Sequence, residues 1–271
     1  MSGPTLADAV QGLADHVRDG GRALVALDFD GVLAPLQDDP GTSRALPAAV
    51  EALARLALVP GVALALVSGR ALADLAACAE VPGGTHLVGS HGSEHGLWQD
   101  GALEQVELDL APQDARLRDE LAESLGVAVR GTSARLEEKP GSVVLHTRTA
   151  TAADAERLTR LAMELGDRPG VDAIHGKDVV ELSVLHRTKG DALADLRRRL
   201  DVGALLYAGD DVTDERAFAT LRPQDVTVRV GPGATAARFR VADTQEVAAL
   251  LAGIAERLTD GPPPGGARVA G

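Results

Sequence analysis

Short aliphatic runs alternate with helical segments along most of this chain, and this alternation constrains its fold more than any other sequence feature. An aliphatic run at residues 23–27 precedes a segment of helical periodicity at 47–58, and a second run follows at 62–67. The same rhythm returns near the C-terminus, with a helix predicted at 189–200 and a strand at 226–230. Strands that alternate with helices are typical of parallel sheets with right-handed crossovers. We therefore predict an α/β fold with a doubly wound parallel core.

The rhythm changes between about residues 109 and 184. There the pattern predicts a helix, two strands, a second helix and two further strands, which indicates a small α+β module with an antiparallel sheet. Because the parallel pattern then resumes, we expect this module to be inserted into a core formed by residues 1–108 and 185–258. The Pro- and Gly-rich stretch at 259–271 is predicted to be a disordered tail.

Composition excludes several classes of protein. The 271 residues carry 40 acidic and 27 basic side chains, a net charge of −13, which disfavours nucleic acids and anionic membranes as partners. Cys78 is the single cysteine, so the chain cannot form an intramolecular disulfide framework. No apolar run approaches membrane length, and the N-terminus lacks a signal-like pattern. We therefore expect a cytoplasmic protein, and we expect it to be a monomer.

Two carboxylates one residue apart, Asp28 and Asp30, follow the first predicted strand directly. Ligands of open α/β sheets bind in the crevice outside the carboxyl ends of the strands, and Gly31 gives the following turn its backbone freedom. Asp is also common in strand-end turns for local reasons. Taken alone, this motif therefore indicates either a site or a solvated turn.

The densest acidic cluster follows a later predicted strand, at residues 210–215. Hard carboxylate oxygens beside a substrate phosphate suit Mg²⁺. Alternatively, Thr213 could cap a helix whose first turn is favoured by Asp214 and Glu215. Both interpretations hold together if Asp210 and Asp211 face the crevice and the later acids serve the helix.

A lysine and a serine complete the series of polar groups. Lys189 lies near the N-terminus of a predicted helix, where its charge opposes the macrodipole and an anion would compensate it. Ser68 follows the strand predicted at 62–67 and can donate a hydrogen bond to the same anion. Each residue alone would more often be an ordinary surface side chain.

The order Asp-x-Asp, Ser, Lys and acidic pair resembles the haloacid dehalogenase superfamily of phosphohydrolases, which have a Rossmann-like core. The predicted insertion is similar to the larger α+β cap type of that superfamily. Over roughly residues 24 to 250 the chain looks like the trehalose-6-phosphate phosphatases. The segments that carry this likeness are DFDGVLAP, VSGR, GSHGSE, RLEEKPGSVVLHTR, GKDVVEL, TKGDAL and GDDVTDERAF.

The resemblance implies a Mg²⁺-dependent enzyme that hydrolyses trehalose 6-phosphate. Asp28 would be the nucleophile that forms an aspartyl-phosphate, and Asp30 would be the general acid and base. The cation would be held by Asp28, the backbone carbonyl of Asp30, and Asp210, with Asp211 nearby. Lys189 and Ser68 would help to offset the charge of the phosphate.

The resemblance also implies residues that bind the sugar phosphate. In the inserted module, Glu137, Lys139 and Glu181 match the positions that bind the distal glucose. His91 and Gly92 match a loop that faces the sugar, while Arg70 would either touch the phosphate or brace the acidic cluster.

The chain departs from the family pattern at two places. His146-Thr147-Arg148 stands where the family usually has His-Tyr-Arg, and the approach to Lys189 lacks the usual Pro/Arg/Gly-rich segment. A phosphatase of another sugar phosphate is therefore the first alternative. A second alternative is a signalling domain that only accepts phosphate on Asp28, although such a domain needs neither Asp30 nor an insertion. A dinucleotide-binding dehydrogenase is disfavoured, because Gly-x-Gly-x-x-Gly does not follow the first strand.

Overall fold

The computed structural model describes residues 3–37, 39–106, 110–139, 141–176, 178–185 and 187–259. These residues form two compact units. The first unit comprises the described residues up to Val106 together with those from Thr188 onward, and the second comprises the described residues between them. The insertion predicted from the sequence covers residues 109–184.

The strands, in chain order, are β1 (Ala23–Leu27), β2 (Val62–Val67), β3 (Thr85–Gly89), β4 (Glu94–Gln99), β5 (Ala102–Val106), β6 (Arg135–Lys139), β7 (Ser142–His146), β8 (Asp172–Gly176), β9 (Val179–Ser183), β10 (Ala204–Gly209), β11 (Val226–Val230) and β12 (Phe239–Val241). The α-helices are α1 (Leu6–Arg18), α2 (Pro47–Ala57), α3 (Leu72–Cys78), α4 (Pro112–Ala128), α5 (Ala152–Gly166), α6 (Lys189–Leu200), α7 (Val212–Thr220) and α8 (Thr244–Thr259). None of the helices in the described part of the chain combines the length and the apolar character that crossing a membrane requires.

The first unit is built on a sheet with the strand order β12-β11-β10-β1-β2-β3-β4-β5. Strands β12 to β3 in this order are parallel, and β4 and β5 add an antiparallel hairpin at one edge. The chain runs from β1 to β2 on one side, while β10 lies on the other, so the strand order reverses at β1. Such a switch point opens a crevice at the carboxyl ends of the strands.

Strand β1 is the centre of this core. All five of its residues are 0% exposed, because helices cover both faces of the sheet. Apolar side chains of α1, α2, α3 and α8 pack on one face, and those of α6 and α7 pack on the other. In register, Leu27 lies beside Ala208 of β10 and Leu66 of β2, so these three strands end at nearly the same level. The predicted doubly wound α/β core is confirmed.

The second unit has an antiparallel sheet with the order β6-β7-β9-β8. One face of this sheet packs against α4 and α5, through residues such as Val143, Leu145 and Leu182. The side chains that alternate with these lie on the opposite face, which includes the polar residues Glu137 and Glu181. The order of helices and strands agrees with the α+β pattern predicted from the sequence.

The main differences from the predicted elements are small and local. Strand β12 has only three residues and was not predicted. Helix α7 begins at Val212, because Asp211 provides the N-cap for which Thr213 was the candidate. Thr259, placed in the tail by the sequence analysis, is the last residue of α8. The rest of the predicted tail, residues 260–271, lies outside the described residues.

The packing of α2 gives a test of the core. Leu56 is fully buried between α2 and the sheet, whereas Leu58, just after the helix, is 83% exposed. Leu56→Ala should lower the free energy of unfolding by about 2–5 kcal/mol, because it removes apolar contacts and leaves a cavity. Leu58→Ala, which deletes the same atoms, should change it by less than about 0.5 kcal/mol. Urea denaturation of both variants measures the difference, and similar losses would contradict this packing.

Candidate active site

The carboxyl ends of β1, β2 and β10 border a cleft of about 550 Å³ in the first unit. Eight of the predicted site residues line it, together with Leu36, Gln37 and Gly69; the eight are Asp28, Asp30, Ser68, Arg70, His91, Lys189, Asp210 and Asp211. Residues that lie up to about 180 positions apart in the sequence are therefore brought to one edge of the sheet. This is the edge at which open α/β proteins bind their ligands.

Lys189 is the positive centre of the cleft and is only 1% exposed. Its Nζ atom donates to Oδ2 of Asp28 at 2.7 Å and to Oδ1 of Asp214 at 2.8 Å. Burial alone would lower its pKa, but the attraction of these two carboxylates outweighs burial and raises the pKa above its usual value. Lys189 is the first residue of α6, where its positive charge opposes the helix macrodipole. The carboxylates of Asp28 and Asp214 are the anions that compensate this charge.

Asp28 is held at the floor of the cleft and is 5% exposed. Its Oδ2 atom accepts the hydrogen bond from Lys189, and its Oδ1 atom accepts one from the backbone N–H of Phe29 at 2.6 Å. Burial raises the pKa of Asp28 well above its usual range, whereas Lys189 favours the charged form. The availability of an anionic oxygen at this position therefore depends on Lys189.

Asp210 and Asp211 both line the cleft, and Asp211 has a second role as the cap of a helix. The carboxylate of Asp211 caps α7, because Oδ1 accepts from the N–H of Asp214 at 2.9 Å and from the Thr213 hydroxyl at 2.7 Å. Burial opposes ionisation of Asp211, but the Lys189 charge and these two hydrogen bonds lower its pKa to about 2. Thr213, expected to be the cap, instead donates to it.

Asp214, one of the later acids that the sequence assigns to the helix, is the buried member of the cluster. It is 0% exposed and accepts hydrogen bonds from Lys189, from the Tyr207 hydroxyl at 2.5 Å, and from the backbone N–H groups of Asp210 and Asp211. Among the described residues, Asp28, Asp210 and Asp214 form a group whose carboxylate oxygens lie within 4.8 Å of one another. Asp214 is the last Asp of the Gly-Asp-Asp-x-Thr-Asp-Glu segment, so that segment is the sequence signal for its place in the cluster.

Two glycines make room for these carboxylates. Gly31 has a φ of +75°, and a Cβ atom there would lie 2.0 Å from Oδ2 of Asp210. A Cβ atom on Gly209 would lie 2.2 Å from Cγ of Asp214. Any larger residue at either position would displace an acid of the cluster, which explains why each acidic motif contains a glycine.

Asp30 lies on the solvent side of Asp28 and is paired with Arg70. The guanidinium donates to both carboxylate oxygens at 2.6 Å, and it also donates to the Ser43 hydroxyl at 2.9 Å. A bidentate pair of this kind fixes the orientation of both side chains. The described contacts of Arg70 are those of a brace for Asp30, and its contact with a phosphate stays a prediction.

Ser68 and His91 form the opposite side of the cleft. Ser68 is 2% exposed, and its backbone carbonyl accepts the N–H of His91 at 3.0 Å. His91 has a φ of +56°, an uncommon conformation for a residue with a side chain, and its ring lies against Gly69. Gly92, with a φ of +118°, approaches the carbonyl of Thr188 so closely that a Cβ atom would lie 2.7 Å from it. This backbone path directs His91 into the cleft.

The three predicted sugar-binding residues of the second unit lie on the face of its sheet that does not carry the helices. Glu137 and Glu181 flank Val144 in one row across β6, β7 and β9. Nζ of Lys139 lies 3.6 Å from Oε1 of Glu181, which also accepts from the Ser142 hydroxyl at 2.6 Å. Oε2 of Glu137 lies 2.8 Å from Nε2 of His146, a histidine that the sequence analysis had not singled out as part of the site. These groups form one polar surface of hydrogen-bonding side chains.

Known proteins resemble this chain over most of its length. A family model described as trehalose-phosphatase matches residues 26–246. A trehalose-phosphate phosphatase of Mycobacterium ulcerans is 34% identical over 257 residues, which cover 88% of this chain and 63% of the relative. That of Mycobacterium avium is 34% identical over 279 residues, covering 95% of this chain and 68% of the relative. The chain thus spans 63–68% of the length of these relatives.

A solved structure supports the fold. The trehalose-6-phosphate phosphatase of Aspergillus fumigatus matches with a TM-score of 0.60 at 23% identity, covering 94% of this chain and 99% of that chain. At this level of identity the likeness shows the fold alone.

The crowding of acids gives a test that depends on pH. Burial, followed by repulsion from Asp214 and Asp211, raises the pKa of Asp210 from 3.8 to about 6. The charged form therefore destabilises the folded protein above pH 6, and this cost fades as the pH falls from 6 towards 3.8. With a chelator present, Asp210→Asn should raise the free energy of unfolding by about 1 kcal/mol at pH 8, a value reduced for solvent screening, and by little at pH 4.

Asp211→Asn is the matched control. Lys189 stabilises the Asp211 carboxylate, so this substitution should lower the free energy of unfolding at pH 8. Urea denaturation at both pH values measures the two effects. A gain for Asp211→Asn, or an Asp210→Asn gain that persists at pH 4, would contradict this account of the cluster.

Proposed function

Since the chain belongs to the trehalose-phosphatase family, we propose that it hydrolyses trehalose 6-phosphate to trehalose and phosphate. The observation that supports this most strongly is the buried contact between Asp28 and Lys189 at the end of β1, with a second carboxylate, Asp30, two residues on. This arrangement provides a nucleophile, a charge that offsets phosphate, and a group for proton transfer. The relatives from Mycobacterium are named for action on trehalose phosphate.

In the proposed first step, an oxygen of Asp28 forms a bond to phosphorus as the bond between phosphorus and the sugar oxygen breaks. The sugar oxygen takes a proton from Asp30 and leaves as a hydroxyl. In the second step, water attacks the phosphorus of the aspartyl-phosphate and gives a proton to Asp30. The bond between phosphorus and Asp28 then breaks, which restores the carboxylate and releases phosphate.

The contact with Arg70 bears on the role of Asp30. Both Asp30 oxygens accept hydrogen bonds from the guanidinium, so at least one of these contacts must open before Asp30 can exchange a proton. An incoming phosphate is a competing partner for the guanidinium, because Arg binds carboxylate and phosphate oxygens with the same geometry. We infer that substrate binding loosens the pair and frees Asp30 for proton transfer.

Lys189 and Ser68 serve the phosphate in this proposal. The Lys189 ammonium offsets repulsion between the Asp28 carboxylate and the anionic substrate, and because it is buried its charge is weakly screened. The Ser68 hydroxyl faces the same cleft and offers a hydrogen bond to a phosphate oxygen. Both side chains are buried, and Lys189 is already oriented by its two carboxylate partners.

The acidic cluster fits a divalent cation with hard oxygen ligands. We propose that Mg²⁺ is held by the carboxylates of Asp28 and Asp210 and by the backbone carbonyl of Asp30. A bound Mg²⁺ would neutralise charge on the phosphate and on the carboxylates around it. The Asp214 oxygens already accept four hydrogen bonds from described groups, so we assign this acid to organising the cluster rather than to holding the cation.

Sugar recognition is proposed for the polar face of the second unit and for His91. Carboxylates suit sugar hydroxyls as acceptors, and Glu137 and Glu181 lie in one row of the sheet. Binding energy from the distal glucose would then be used to position the phosphate beside Asp28.

The proposed function is tested by measuring phosphate release from trehalose 6-phosphate, glucose 6-phosphate, sucrose 6-phosphate and p-nitrophenyl phosphate, with Mg²⁺ and with chelator. Trehalose 6-phosphate should have a kcat/KM at least about tenfold above the other substrates, and chelator should abolish release. Asp28→Asn should lower kcat by roughly 10⁴. A higher kcat/KM for another sugar phosphate would refute the substrate, and full activity with chelator would refute the cation.

Neighbouring glutamates on β6 test the role of the polar face. Glu137 lies on that face, whereas Glu138 points to the other side of the sheet. Glu137→Ala should lower kcat/KM for trehalose 6-phosphate by about 10- to 100-fold, because a charged hydrogen-bond acceptor for the sugar is lost. Its activity on p-nitrophenyl phosphate, which lacks the sugar, should remain.

Glu138→Ala is the matched control and should leave both activities near those of the unchanged protein. Equal losses for the two variants, or an equal loss on both substrates for Glu137→Ala, would show that the polar face does not select the sugar.

A further inference from the structure

Asp214 depends on a hydrogen bond from a residue outside the predicted site. Its Oδ2 atom accepts the backbone N–H groups of Asp210 and Asp211 at 2.9 and 3.0 Å. Its Oδ1 atom accepts Nζ of Lys189 at 2.8 Å and the hydroxyl of Tyr207 at 2.5 Å. The Tyr207 hydroxyl thus shares one carboxylate oxygen with the ammonium group that contacts Asp28.

The position of Tyr207 is fixed by its surroundings. It lies on β10, is 0% exposed, and pairs in register with Ala26 of β1. Its ring lies 5.6 Å from the ring of Phe218, centroid to centroid. Asp214 and Phe218 are four residues apart and share one face of α7. The same helix face therefore contacts the tyrosine at its ring and at its hydroxyl.

The buried charges of this centre need the hydroxyl. Two carboxylates, Asp28 and Asp214, surround one ammonium group, and the side chains of all three are at most 7% exposed. A buried carboxylate that lacks donors is costly. The Tyr207 hydroxyl supplies a donor in the buried core, and it donates to the same oxygen, Oδ1 of Asp214, that accepts from Lys189.

We propose that Tyr207 is a positioning residue for phosphoryl transfer, which acts by orienting Asp214 and through it Lys189 against Asp28. This inference rests on the proposed phosphatase function, since it concerns the same centre. It assigns no contact with the substrate to Tyr207. It predicts that the hydroxyl matters for the chemical step and not for binding of the sugar.

The first test is Tyr207→Phe, which removes a single oxygen atom. On both trehalose 6-phosphate and p-nitrophenyl phosphate, kcat should fall about tenfold, while KM for trehalose 6-phosphate changes by less than about twofold. The control is Thr85→Val, which removes another buried hydroxyl, one that donates to the carbonyl of Pro82 at 2.7 Å in the same sheet. It should lower the melting temperature while kcat stays within about twofold.

An unchanged kcat in Tyr207→Phe would overturn the proposal, as would an equal loss of kcat in Thr85→Val. If the unchanged protein hydrolyses p-nitrophenyl phosphate but not trehalose 6-phosphate, only the proposed substrate fails. The effect of Tyr207→Phe on p-nitrophenyl phosphate then decides the role of the tyrosine.

A second measurement does not depend on activity or on the folding of Tyr207→Phe. Tyr207 is the one tyrosine of the chain, so protein labelled with 3-fluorotyrosine should report on this position alone in its ¹⁹F spectrum. Lys189→Met should shift the resonance, because Asp214 loses the partner that shares Oδ1, whereas Thr85→Val should leave it in place. A resonance that does not respond to Lys189→Met would show that Tyr207 is not coupled to the lysine, and the proposal would fail.

Discussion

The ammonium group of Lys189, shared between the buried carboxylates of Asp28 and Asp214, is the interaction on which the rest of the site depends. Burying these charges is costly unless each finds a partner. The geometry ties α6, which carries the lysine, to the end of β1 and to the first turn of α7. A change at any one of these three elements would alter the other two.

The fold brings these groups together because of its topology. The strands β1, β2 and β10 end at the same level, so residues far apart in the chain meet at one edge of the sheet. Gly31 leaves space for the carboxylate of Asp210, and Gly209 leaves space for that of Asp214. In the second unit, one face of the sheet packs against helices through apolar side chains. The other face carries the carboxylates of Glu137 and Glu181 in register.

Much of this arrangement could be predicted from the sequence, because hydrophobic periodicity and strand-end motifs are local signals. Strand β1 and helix α6 have the predicted bounds, and Asp28, Ser68 and Lys189 line one cleft. The division of roles among Asp210, Asp211 and Asp214 could not be predicted, since several adjacent acids can each cap a helix or face the crevice, and packing decides between them. The same limit applies to Tyr207, which has the pattern of an ordinary core residue, and to the pairing of Arg70 with Asp30, which are 40 positions apart.

The central claim is that Asp28, whose charged form is favoured by Lys189, attacks phosphorus and carries the phosphoryl group. Trapping the intermediate tests it most directly: protein mixed with ³²P-labelled trehalose 6-phosphate is quenched in acid within one turnover, digested, and its labelled peptide identified by mass spectrometry. The account predicts transient label on Asp28 in the unchanged protein and none in Asp28→Asn. Turnover without labelled protein, or label on another residue, would contradict the account.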